Sequence, residues 1–158
     1  MYDESADAAA DIAAALDLAK TDNTRVLIQW GANWCGWCKL LHQLFNEDRQ
    51  IRREILYEYE VVYVDMGRFD KNLDLVEKFG AEIKSIPYLT ILDSNGGVVI
   101  NQHTEPLEEG SAHSPERVLE FLTAHQAEYL KAEELLADAL MEAGREGKRL
   151  FLTFGAPW

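Results

Sequence analysis

The chain has 158 residues, 47% of them hydrophobic and 27% charged, the proportions of a soluble globular protein and not of a disordered one. Lys and Arg number 15 against 28 Asp and Glu, and the formal net charge of −13 makes nucleic acid and anionic membrane surfaces poor partners. The two cysteines are too few for a disulfide-stapled scaffold, and no apolar run approaches the roughly 20 residues that span a bilayer.

In chain order, Asp7 to Lys20 is Ala-rich with Ile12, Leu16 and Ala19 at helical spacing, which predicts a first helix broken by Thr21-Asp22-Asn23. Arg25 to Trp30 reads as a buried strand. Cys35 to about Asn46 reads as a helix through Leu40, Leu41, Leu44 and Phe45. A further helix is expected from about Asp48 to Tyr57, with Ile51, Ile55 and Leu56 on its apolar side. Tyr59 to Asp65 is β-branched and aromatic, a strand by composition and alternation.

Lys71 to Phe79 predicts a short helix closed by Gly80. Two apolar runs, Tyr88 to Leu92 and Val98 to Ile100, flank Asp93-Ser94-Asn95-Gly96-Gly97, a strong hairpin signal. Ser114-Pro115-Glu116 opens a last helix through Val118, Leu119 and Leu122. This order predicts an α/β sandwich whose sheet mixes parallel crossovers with one antiparallel hairpin.

Both cysteines stand in Trp34-Cys35-Gly36-Trp37-Cys38-Lys39, where the first strand hands over to a helix. A helix start offers unpaired backbone N–H groups and the positive end of the macrodipole, and both favour a thiolate over a thiol. A redox dithiol is therefore the leading reading. A zinc site would have to recruit two of His42, His103, His113 and His125, none at zinc-finger spacing, so no metal is expected. Haem attachment needs His where Lys39 stands. Without a phosphate-binding glycine loop, no nucleotide, flavin or other cofactor is implied.

The strand, Trp-Cys-Gly-x-Cys-Lys and helix passage resembles the thioredoxin superfamily over roughly residues 7–125, and Gly31 to Lys39 looks closer to the thioredoxin-like domains of bacterial thiol–disulfide interchange proteins than to thioredoxin itself. Ile86-Pro87 stands where that family places a cis-proline facing the cysteines, and Asp93-Ser94-Asn95-Gly96 matches its hairpin turn. The resemblance implies a three-layer α/β/α sandwich with a central mixed sheet and a thiol–disulfide oxidoreductase acting on protein disulfides or dithiols with a redox partner protein. By position, Cys35 is expected to be exposed and to attack, and Cys38, one turn in, to resolve the mixed disulfide. Trp34, Gly36, Trp37, Ile86 and Pro87 are the expected substrate-binding residues. Trp34 is expected to pack on the domain and Trp37 to face outward, and a cis bond at Pro87 would leave Ile86 backbone groups free for an extended chain.

The chain departs from the family in two places. Gly36-Trp37 replaces the Gly-Pro of thioredoxin, and Gln29 stands where thioredoxin keeps a buried aspartate as proton acceptor for the resolving thiol. Water, Glu82 or Lys84 would have to serve instead. Lys39 and His42 are read as surface residues of the helix, and His103 and His113 as part of a solvated loop, 102–114. The loop from Met66 to Asn72 is expected to border the active-site face without carrying a ligand cluster. The competing reading is a non-catalytic binding module that uses the same groove.

Residues 133–158 repeat an earlier stretch. Leu140, Ala143, Arg149, Gly155, Ala156 and Trp158 stand 124 positions after Leu16, Ala19, Arg25, Gly31, Ala32 and Trp34. The division expected is residues 1–128 as a thioredoxin-like domain and 129–158 as a helix and strand, 149–154, opening a second, truncated copy; chance resemblance is the alternative. That strand would dock on the first domain, pair between molecules or stay mobile. The acidic first residues are not a secretory signal, so the chain reads as cytoplasmic as written, or extracytoplasmic if a signal was removed.

Overall fold

The computed structural model describes residues 1–153, which fall into two units, Met1–Ala127 and Glu128–Trp158. The first unit holds α1 (Ala8–Asp22), β1 (Arg25–Gly31), α2 (Gly36–Glu47), α3 (Arg49–Glu58), β2 (Tyr59–Asp65) and α4 (Leu73–Lys78). It continues with β3 (Tyr88–Leu92), β4 (Val98–His103), a 3-10 turn (Glu105–Leu107), β5 (Glu108–Glu109), β6 (Ala112–His113) and α5 (Pro115–Ala124).

Four strands form one sheet in the order β2-β1-β3-β4. Only β1 and β2 are parallel; β3 runs antiparallel to β1 and β4 antiparallel to β3. The expected parallel crossovers thus reduce to one, through α2 and α3. The second long connection, through α4, returns the chain to the other side of β1 in the opposite sense.

Alternation along β1 builds the layers, because successive side chains leave a strand on opposite faces. Val26, Ile28 and Trp30 enter one core with Ile12, Ala15 and Ala19 of α1 and Leu75 of α4. Leu27 enters the other with Leu41 and Phe45 of α2, Ile51 of α3, and Val118, Phe121 and Leu122 of α5. Helices therefore cover both faces, as a three-layer sandwich requires. The same alternation puts Gln29, wholly buried, on the α2 face.

Local chemistry sets the helix ends. Asp7 caps α1 by accepting from the Ala10 N–H, and Asn23 closes it in the left-handed conformation. Asp48 ends α2 and starts α3, its carboxylate accepting from the N–H groups of Gln50 and Ile51. In α3, Ile51 is buried but Leu56 is 69% exposed, against expectation. A helix turns about 100° per residue, so Leu56 stands about 140° round from Ile51 while Ile55 stands about 40° away.

In the second unit, α6 (Ala132–Glu146) ends on Gly147 with φ +65°. The predicted strand 149–154 is not found in its described part: residues 149–153 form no strand. A strand is held by a ladder to a neighbour, and these residues have none. Gly155, Ala156 and Trp158 of the repeat lie outside the described residues.

Candidate dithiol–disulfide site

The site sits where β1 ends and α2 begins. Cys35 is the N-cap residue of α2, with extended backbone, and its sulfur accepts the Cys38 N–H at 3.1 Å. Cys35 and Cys38 are joined as a disulfide, with Cα atoms 5.3 Å apart. A helix N-terminus points several unsatisfied N–H groups at whatever caps it, so this sulfur is the one whose negative charge the fold stabilises.

The structure revises the expected exposures. Cys38 is 0% exposed, but Cys35 is 6% exposed and not open to solvent as expected. Its sulfur lies 3.4 Å from the Ile86 carbonyl oxygen across the groove. The Ile86-Pro87 bond is cis, and this carbonyl faces the Cys35 sulfur.

The two tryptophans exchange roles. Trp34, expected to pack on the domain, is 52% exposed; its Nε1–H donates to the Gly67 carbonyl at 2.7 Å, and its ring leans on Phe69. Trp37, expected to face outward, is half-buried edge-on against His113, with ring centroids 5.3 Å apart. The reason is the β5–β6 hairpin, which folds over the start of α2. His113 is consequently buried, not part of a solvated loop, and its Nε2 lies 3.3 Å from the Trp37 carbonyl. Burial holds the His113 imidazole below its usual pKa, against the opposing pull of the Trp37 carbonyl and Glu108. Loop 66–72 does border the site, since Gly67 and Phe69 prop Trp34 and the Arg68 guanidinium lies over its ring.

Gly36 is exposed, with open space where a side chain would stand. Lys39 is exposed on α2. His42 is half-buried, its ring edge-on to Tyr63, and partial burial lowers its pKa. Glu82 and Lys84 are both exposed.

The cluster around the sulfurs contains a residue the sequence reading passed over. Tyr2, 3% exposed, packs against Cys35 and Cys38 with Trp37, Tyr63 and Ile86 around it. The Gln29 Nε2–H donates to its hydroxyl oxygen at 2.8 Å and lies 3.4 Å from the Cys38 carbonyl. A lone aromatic in an otherwise acidic leader was the only signal available. Among the described residues no group of three or more His, Cys, Asp or Glu is placed to hold a metal ion, and no helix is long and apolar enough to cross a membrane.

A disulfide capping a helix at the end of a central strand, opposite a cis-proline, defines a thioredoxin-fold dithiol–disulfide site. A thioredoxin-like family profile matches residues 7–94, and the chain belongs to that family. The solved disulphide isomerase of Xylella fastidiosa Temecula1 is 32% identical, with a TM-score of 0.68 over 78% of this chain and 94% of that one. The oxidised C-terminal domain of DsbD from Neisseria meningitidis, 18% identical with a TM-score of 0.56 over 80% of this chain and 99% of its own, shares the fold. A thioredoxin of Mycoplasmoides gallisepticum is 34% identical over 74 residues, 47% of this chain. The match spans 65% of that relative's length.

Proposed function

We propose that this protein is a thiol–disulfide oxidoreductase that exchanges disulfides with protein substrates or a redox partner protein through Cys35 and Cys38. The observation that carries the reading is the placement of Cys35 Sγ on the Cys38 N–H at the start of α2, with Cys38 sealed behind it. The likeness to a disulphide isomerase at 32% identity supports it.

In the reducing direction the Cys35 thiolate attacks a substrate disulfide, forming a Cys35–substrate bond and expelling one substrate thiolate. Cys38, as its thiolate with the proton given up to water, then attacks Cys35 Sγ, closing the Cys35–Cys38 disulfide and releasing the second substrate thiolate, which is protonated by solvent. The two electrons given to the substrate are returned by a partner dithiol. In the oxidising direction each step reverses.

A polypeptide substrate is favoured over a small disulfide by the exposed Trp34 and Phe69 beside the sulfurs and by the Ile86 backbone opposite them. The net charge of −13 favours neutral or basic partners. The repeat, at an offset of 124 positions, supports a reading of 129–158 as the opening of a second thioredoxin-like copy; it holds neither cysteine, so the redox partner would be the complete copy in a longer protein.

The test is reduction of a protein disulfide by the parent and by Cys35→Ser, which is expected to lose activity entirely. Unchanged activity in that variant would sink the assignment and leave the binding-module reading. The reduction potential of the couple then sets direction: well below the glutathione poise means a reductase suited to the cytoplasm, well above it an oxidant or isomerase of an extracytoplasmic compartment.

A further inference from the structure

Cys38 has a problem that its surroundings must solve. It is wholly buried, and burial in apolar surroundings raises a thiol's pKa, yet it must become a thiolate to attack. The neighbouring strand offers Gln29, which cannot ionise, and Glu82 and Lys84 are exposed where Cys38 is wholly buried.

The hydroxyl of Tyr2 stands beside this sulfur. A β-carbon added to Gly31 would overlap Tyr2 Oη and lie 2.8 Å from Cys38 Sγ, so the hydroxyl fills the space beside the sulfur that glycine's missing side chain leaves to it. The Gln29 amide fixes the polarity of the hydroxyl. Its Nε2 must point inward because it also approaches the Cys38 carbonyl, which only a donor can meet. Tyr2 Oη therefore accepts from Gln29, and its own proton is left to be donated. A disulfide sulfur is a weak acceptor, but a thiolate at the same place is a strong one.

The segment carrying Tyr2 is held by the cysteine motif. Tyr2 N–H donates to Asn33 Oδ1 at 3.1 Å, and Asn33 Nδ2 donates back to the Tyr2 carbonyl at 2.8 Å and to the Glu4 carboxylate at 3.1 Å. Lys71 Nζ, paired with Asp65 at 2.8 Å, donates to the Glu4 carbonyl. The Tyr2 ring meets Tyr63 edge-on.

Resting on the exchange reading above, we propose that Tyr2 is a positioning residue for the resolving thiol: its hydroxyl, oriented by Gln29 and held in place by Asn33, donates a hydrogen bond to the Cys38 sulfur and stabilises it as the attacking thiolate. Tyr2 is a donor here, not a base. Burial first, with the nearby Tyr63 and Asp65, pushes its phenol far above the usual range despite the Gln29 hydrogen bond, so it keeps its proton at neutral pH. The Cys38 proton passes to water as the thiolate forms, and the departing substrate sulfur leaves as a thiolate that takes its proton from solvent. The titratable groups facing the pair are Cys35 and His42 of α2, Tyr63 and Asp65 of β2, and Glu4 and Lys71 around the leader.

The test uses the reduced full chain and a coloured aromatic disulfide, dithio-bis-nitrobenzoate, which loads Cys35 in a first release of coloured thiolate. Attack by Cys38 gives the second release, followed by stopped flow across pH. In Tyr2→Phe the second release is expected to slow ~10-fold near neutrality, the low end for a hydrogen bond to a charged group. The gap should close at alkaline pH, where Cys38 is ionised in both proteins; mere loosening of the leader would slow the step equally at every pH. Asn33→Ala, which frees the segment and keeps the phenol, should show a smaller slowing with the same pH signature, and carries the test should Tyr2→Phe not fold. Parental pH profiles in the folded variants overturn the inference alone. A parent that loads Cys35 but shows no second release overturns the exchange reading and the inference with it.

Discussion

At the scale of single residues, the chemistry of the site depends on which groups the fold forces together. Gln29 occupies a buried strand position that could hold an acid, and the chain supplies a neutral donor pair, Gln29 and Tyr2, in its place. His113 is the clearest case of a group whose charge the fold resists. Its Nδ1 is buried without a hydrogen-bond partner, so protonation would bury an unpaired donor. Its folded pKa is depressed, so the unfolded chain binds more protons as pH falls through the usual value of about 6.5. Stability is thus full above that pH and is lost as pH falls from there towards the folded pKa. Replacing it by Gln, which can still donate to the Trp37 carbonyl but does not titrate, is expected to flatten this part of the profile. Urea midpoints of parent and His113→Gln between pH 5 and 7 check it; His42, also lowered by burial, contributes with the same sign in both.

At the scale of elements, Asp48 joins α2 to α3 and acts on both. Its N–H closes α2 on the Leu44 carbonyl, and its carboxylate accepts from Gln50 and Ile51 at 2.9 and 3.0 Å. Asp48→Ala removes the acceptor of one exposed and one part-buried N–H at the start of α3 and is expected to cost about 1 kcal/mol, with Asp48→Asn costing less. Denaturant unfolding of the three proteins measures this directly. The longer helices and strands of the first unit were legible because apolar spacing and caps are local signals; Asp7 and Gly80 mark ends as expected, while α1 runs through Thr21 and Asp22 and closes only at Asn23. The β5–β6 hairpin was not legible, since each strand has two residues and its pairing depends on packing over α2. The exchange of exposure between Trp34 and Trp37 follows from that miss: the contact of His113 with Trp37 joins residues 76 apart.

At the scale of the molecule, Met1–Ala127 contains the whole sheet, both cores and the cysteine pair. A chain of residues 1–127 is therefore expected to fold with the near-ultraviolet circular dichroism and unfolding midpoint of the first unit in the full chain, and to retain disulfide exchange. Loss of either in the shortened chain would show that the second unit supports the first. In the second unit no side chain of α6 is buried, and Leu135, Leu136, Leu140 and Met141 are 38–69% exposed. By itself the sequence determined α1 to β4 and α5 in order and the two sulfurs, because strand alternation, helix spacing and a Cys-x-x-Cys at a helix start are written in neighbouring residues, and the thioredoxin-like class followed from the resemblance of that cysteine passage. Only the tertiary structure decided which groups surround those sulfurs. Tyr2 reaches Gln29 from 27 positions away and Ile86 reaches Cys35 from 51, and such contacts form because layers close over a core, a condition no local pattern encodes.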